Sequence, residues 1–231
     1  MYDPNLALLE TAAAKLAPLL SEIVFVGGCA TGLLITDPGA ADVRETYDVD
    51  VIAEIASYAE YGVFSDRLRE LGFTEDSREG APLCRWVHDE MILDVMPLDA
   101  GILGFSNRWY AEALATSVDV SLPNGLTIRA ITAPFFLGTK MEAFRARGNG
   151  DYFASHDLED FIAVVDGRST LIRELQDAAP KLRTYLTEEV KHLLTTSRFL
   201  DALPGFLPAD TASQSRIGSL YQKLQGLARI G

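Results

Sequence analysis

Asp48 and Asp50 occupy alternate positions of an apolar run, Tyr47-Asp-Val-Asp-Val-Ile-Ala53. In an extended strand alternate side chains share a face, so both carboxylates point one way while Val49 and Val51 point the other. Neighbouring carboxylates repel, and burying them without a positive partner is expensive. A divalent cation removes that penalty, and magnesium takes its ligands from carboxylate, water and phosphate oxygens. Upstream, Ile23-Val-Phe-Val26 ends in Gly27-Gly28, followed by Cys29 and further small residues. Glycine lets a phosphate approach backbone N–H groups closely, and the start of a helix favours an anion. A third carboxylate, Asp94, interrupts the apolar run Met91-Ile-Leu-Asp-Val-Met96. If its strand lies beside that of Asp48 and Asp50, three carboxylates converge. Two would hold metal; Asp94 would share a metal and accept the proton of an attacking hydroxyl.

The elements that must position these residues are legible in the surrounding pattern. Asp3-Pro4 predicts a helix start with Asp3 as N-cap, and Leu6, Leu9, Ala13, Leu16 and Leu20 follow at helical spacing. Residues 23–26 read as a strand, 29–35 as a short helix, and 36–45 as a loop containing Asp-Pro-Gly. An amphipathic helix over 58–71 closes at Gly72. Residues 83–88 and 91–96 form short strands joined by Asp89-Glu90. A helical stretch over 109–114 precedes two strands around Asn124-Gly125, a hairpin signal. Between 125 and 133 the period turns helical and stays so. This divides the chain into a catalytic α/β region, 1–130, and a helical region, 131–231. The expected fold class is α+β: a mixed sheet with flanking helices and a C-terminal helical region that closes a nucleotide cleft.

The helical region opens with a second informative stretch. From Pro134, the residues Phe136, Lys140, Ala143 and Arg147 share a helix face. Gly148-Asn-Gly150 breaks that helix, and Ser155 can cap another that carries Asp157 and Asp160. A tight connection between the helices would bring Lys140 near Asp157 or Asp160. Residues 169–203 read as two more helices divided by Pro180, and 216–230 as a terminal one.

Gly-Gly, then Asp-x-Asp on a strand, then a lone aspartate on a later strand resembles the nucleotidyltransferases of the DNA-polymerase-beta superfamily over residues 23–96. Those enzymes usually carry Gly-Ser; here Gly28 and then Cys29 follow Gly27, so the side-chain hydroxyl that helps grip phosphate is absent. The stretch with Lys140, Ala143, Arg147 and a following aspartate is similar to the helical motif of abortive-infection (AbiEii-type) nucleotidyltransferase toxins. The resemblance implies that Asp48, Asp50 and Asp94 hold two Mg2+ ions, and that Gly27, Gly28 and Cys29 line the phosphates of a nucleoside triphosphate such as ATP. It implies that Lys140 contacts the triphosphate and that Asp157 supports the nucleotide site, with Asp160 as the competing choice. The implied activity is transfer of a nucleoside monophosphate to an acceptor hydroxyl on tRNA or a protein, with an antitoxin protein as a possible partner.

Composition limits the acceptor. The 231-residue chain has a formal net charge of −13, which argues against broad, sequence-independent binding of nucleic acid. It suits instead a cationic, hydroxylated small molecule such as an aminoglycoside. A non-catalytic nucleotide-binding protein is the third alternative. The apolar runs are too short for a membrane span and no signal-peptide pattern is present. With Cys29 and Cys84 as the two cysteines, neither a zinc site nor a disulfide framework is indicated, and a cytoplasmic location is expected. His88 and His156 form no metal-pair pattern, and Trp86 and Trp109 read as core.

Overall fold

The computed structural model describes residues 3–230. The chain forms two compact units: residues 4–30 with 44–132, and residue 3 with 31–43 and 133–230. The first is built on a mixed sheet and the second is helical, so the fold class is α+β. Among the described residues no helix is long and apolar enough to cross a membrane.

The sheet comprises β1 (Ile23–Val26), β2 (Asp48–Ala53), β3 (Thr74–Glu75), β4 (Arg85–His88), β5 (Met91–Met96), β6 (Val118–Ser121) and β7 (Thr127–Ala130). Their spatial order is β3-β4-β5-β2-β1-β7-β6. β2 runs antiparallel to β1 and parallel to β5, while β4 and β5 form an antiparallel hairpin. Alternation divides this sheet into two chemically different faces. Phe25, Val49, Val51, Trp86, Leu93 and Val95 are all at most 1% exposed on one face and make its core. The other face carries Asp48, Asp50, Asp94 and Arg85 on its central strands.

Helix Leu6–Lys15 begins later than the sequence predicts. Its N-cap position is held by Asn5, not Asp3. The Asn5 amide is committed elsewhere, donating to the Arg44 carbonyl and accepting from the Thr46 N–H, each at 2.9 Å. Asn5 thereby secures the approach to β2. Helix Tyr58–Glu70 follows the expected bounds closely: the Ser57 hydroxyl accepts from the Glu60 N–H, and Gly72 lies beyond its end at φ +87°.

In the helical unit, helix Ala133–Arg147 is buried continuously from Ala133 to Met141. A helix apolar all round its first turns belongs at a centre, and helices His156–Gly167, Leu171–Asp177 and Pro180–Thr195 pack against it. Helix His156–Gly167 begins as expected, with the Ser155 hydroxyl accepting from the Leu158 N–H. The segment 31–43 belongs to this unit although the sequence places it between strands of the sheet. The N–H groups of Thr36 and Asp37 donate to the Gly167 carbonyl at 3.0 and 2.8 Å. Arg216 bridges Asp37 (2.7 Å) and the buried Asp166 (2.8 Å). A loop that looks unstructured in sequence is thus pinned by backbone and ion-pair contacts to partners more than a hundred residues away.

Candidate functional site

The pairing of the strands fixes the geometry of the acidic face. Asp50 stands opposite Asp94 in the parallel β2–β5 ladder, so the two side chains lie on the same side as Asp48. Asp50 also stands opposite Val26 at the end of β1, which puts the following turn beside it. Gly27 adopts φ +68°, and a Cβ there would fall 1.8 Å from Asp50 Oδ2. Glycine is required twice, for the left-handed backbone and for the contact with the carboxylate. Gly28, Cys29 and Ala30 form a 3-10 turn and are buried, while Gly27 itself is half-buried. The Cys29 thiol donates to the Val26 carbonyl at 3.1 Å.

Arg85, which the sequence reading passed over, completes this face. It pairs with Asp94 across the β4–β5 hairpin. Its guanidinium meets the carboxylate in a fork, Nε to Oδ1 at 2.8 Å and Nη2 to Oδ2 at 2.7 Å. The same Nη2 reaches Asp48 Oδ2 at 3.3 Å, and the Thr46 hydroxyl donates to Asp48 Oδ1 at 2.7 Å. Asp94 is 5% exposed, and a carboxylate at that depth needs such a partner. The bonds to Asp94 outweigh the cost of burial and drive the Arg85 pKa upward, so the guanidinium is permanently charged. Beside it, burial and then the negative charge of Asp94 push the Cys84 thiol up to about 12. Cys84 is therefore a buried, unreactive thiol.

The donor chemistry here suits a hard divalent cation: the side chains offer oxygen atoms, and three of them are carboxylates on one face of a sheet. Asp48 and Asp50 are half-buried and Asp94 is buried. Among the described residues, however, no three acidic, imidazole or thiol groups are already disposed around a common metal position. Both oxygens of Asp94 are engaged by Arg85. The residues fit a metal provided that Asp94 exchanges partners.

Lys140 and Asp157 belong to the helical unit, where they meet each other. Lys140 Nζ lies 2.6 Å from Asp160 Oδ2 and 3.4 Å from Asp157 Oδ1. Arg147 forks onto Asp157 with two contacts of 3.1 Å. Lys140 is 8% exposed, Asp157 8% and Asp160 2%. The sequence left open which aspartate accompanies Lys140; the shorter contact is to Asp160, while Asp157 is shared with Arg147. Trp86 and Trp109 are both core residues.

No protein-family profile matches the chain, and no curated protein matches it in sequence. Among solved structures it is similar to an antigenic nucleotidyltransferase-like protein from Paracoccidioides brasiliensis. The TM-score is 0.53 at 21% identity, over 86% of this chain and 93% of that one. That likeness establishes that the chain shares the fold of that protein. A candidate nucleotidyltransferase from H. pylori aligns over 97% of this chain and 92% of its own at 13% identity. Its TM-score of 0.44 is too low to carry an argument.

Proposed function

We propose that the sheet unit is a nucleotidyltransferase site that moves a nucleoside monophosphate from a nucleoside triphosphate to an acceptor hydroxyl. The observation that carries this reading is the ladder position of Asp94 opposite Asp50, on the face shared with Asp48 and next to the Gly27 turn. Three carboxylates from two strands share one face there, beside a glycine turn.

Asp48, Asp50 and Asp94 would hold Mg2+, which supplies charge neutralisation for the triphosphate and for the leaving pyrophosphate. The chain's own groups do the rest. The turn at Gly27 offers a backbone surface without a side chain, close to Asp50, where phosphate oxygens can approach. The acceptor oxygen forms a bond to the α-phosphorus while the bond from that phosphorus to the bridging oxygen breaks. Pyrophosphate departs, and the acceptor's proton passes to the Asp94 carboxylate. The gain is chiefly from positioning and from charge placed in advance. The part given to Lys140 and Asp157 in nucleotide binding rests on resemblance to the toxin enzymes alone, as does an RNA or protein acceptor with an antitoxin partner. The net charge of −13 favours a second reading of the acceptor, a cationic hydroxylated small molecule.

The test is incubation with each α-labelled nucleoside triphosphate and Mg2+ in the presence of total tRNA, a protein extract or an aminoglycoside panel. Label on RNA or protein supports the toxin-like acceptor, and label on the drug supports the small-molecule one. No transfer to any acceptor with any nucleotide contradicts the proposed activity.

A further inference from the structure

Arg85 gives the acidic face a cation of its own. One guanidinium makes three contacts with two of the three aspartates, at 2.7, 2.8 and 3.3 Å. Its position is set by backbone pairing rather than by a long side chain reaching in from a loop, because its Cα lies opposite that of Asp94 in the β4–β5 ladder. The side chain is 22% exposed, so it has a route outward. A carboxylate oxygen that accepts a short charge-assisted bond directs its electron density to that donor. A divalent ion wanting the same oxygen must compete for it, and it is repelled by the guanidinium besides.

We propose that Arg85 is a resident counter-ion that a divalent cation must displace, so that metal loading and release of the Arg85–Asp94 fork are one event. This rests on the nucleotidyltransferase reading for the use of the metal, but not for the exchange itself. Without metal, Arg85 neutralises part of the acidic face and keeps the strands together. With metal, Asp94 turns from an ion-pair partner into a ligand, and only then is an oxygen of Asp94 available to receive a proton. Arg85 is on this account a positioning residue that sets the metal concentration at which the site is assembled.

The experiment is Mn2+ binding to the full chain, read by calorimetry and by the electron paramagnetic resonance signal of free Mn2+. Arg85→Gln is expected to bind Mn2+ at least about tenfold more tightly than the wild type, because the competing charge is gone. Arg85→Lys keeps the charge but loses the fork, and should fall between the two. Adding Asp94→Asn to Arg85→Gln should abolish the gain. Wild-type affinity or weaker binding in Arg85→Gln would overturn the proposal. If Arg85→Gln does not fold without metal, Arg85→Lys carries the comparison, and an affinity equal to the wild type then overturns it. Tighter Mn2+ binding in a protein that transfers no nucleotide would uphold the exchange and remove the enzymatic reading. Nucleotide transfer with no change in Mn2+ affinity would do the reverse.

Discussion

Arg85 and Asp94 stand opposite each other in a two-strand ladder and close a two-pronged ion pair, Nε–Oδ1 at 2.8 Å and Nη2–Oδ2 at 2.7 Å. Asp94 is buried, so removing its partner leaves a charge in poor surroundings. In metal-free buffer Arg85→Gln should lose about 2–4 kcal/mol of stability, the lower part of the range reflecting the partial exposure of Arg85. Urea unfolding measures this as a lower midpoint at unchanged slope. An unchanged midpoint would show that the pair contributes nothing.

Gly27 is under a double constraint that a surface turn is not. Gly27→Ala puts a Cβ 1.8 Å from Asp50 Oδ2 and forces alanine into φ +68°. The combined cost should be about 3 kcal/mol or more. Gly125 has a similar φ of +85° but nothing within 4 Å of its missing Cβ. Gly125→Ala should therefore cost only about 1–2 kcal/mol. Equal melting temperatures for the two variants would contradict the placement of Asp50 against the turn.

Lys140 is embedded in the helical unit between acidic partners. Lys140→Met leaves Asp160 and Asp157 without that charge and should cost about 3–5 kcal/mol. Arg145, whose side chain is 55% exposed and which pairs with Glu189 at 2.7 Å, provides the contrast. Arg145→Met should cost no more than about 1 kcal/mol. Thermal unfolding of the two variants side by side decides whether burial governs the difference.

Asp157 makes the helical unit sensitive to acid. Burial opposes its ionisation, but hydrogen bonds from Arg147 and the charge of Lys140 outweigh that cost and hold its carboxyl below the usual range. A folded-state pKa below the unfolded one means that its stabilisation is complete above about pH 4 and is lost as pH falls through the native value. Asp157→Asn should thus be less stable than the wild type near neutrality, with the gap narrowing below about pH 4. A melting-temperature gap that stays constant as the pH is lowered would contradict this.

Much of this arrangement could be read directly from residue order. Alternation in residues 48–53 and 91–96 placed the aspartates on strands, and the change of period near 130 marked where helices take over. Arg85 was also within reach. A two-residue turn at Asp89-Glu90 pairs His88 with Met91, and counting back along both strands pairs Arg85 with Asp94. The role of Arg85 depends on its strand neighbours, and these matter only once the register is known. The start of the first helix was misread because Asp3-Pro4 has the right local chemistry, whereas the side chain of Asn5 is claimed by residues 44 and 46. Such long-range claims leave no local trace. The same holds for segment 31–43, whose attachment depends on Gly167, Arg216 and Asp166 far along the chain.

The acidic face is the centre of this account, and Asp50 is its most direct probe because the Gly27 turn and Asp94 both meet it. Transfer of label from an α-labelled nucleoside triphosphate should be measured for the wild type and Asp50→Asn, with circular dichroism confirming that both are folded. The predicted result is a fall in rate of at least about a thousandfold in the variant. A folded Asp50→Asn protein that transfers label at the wild-type rate would contradict the account.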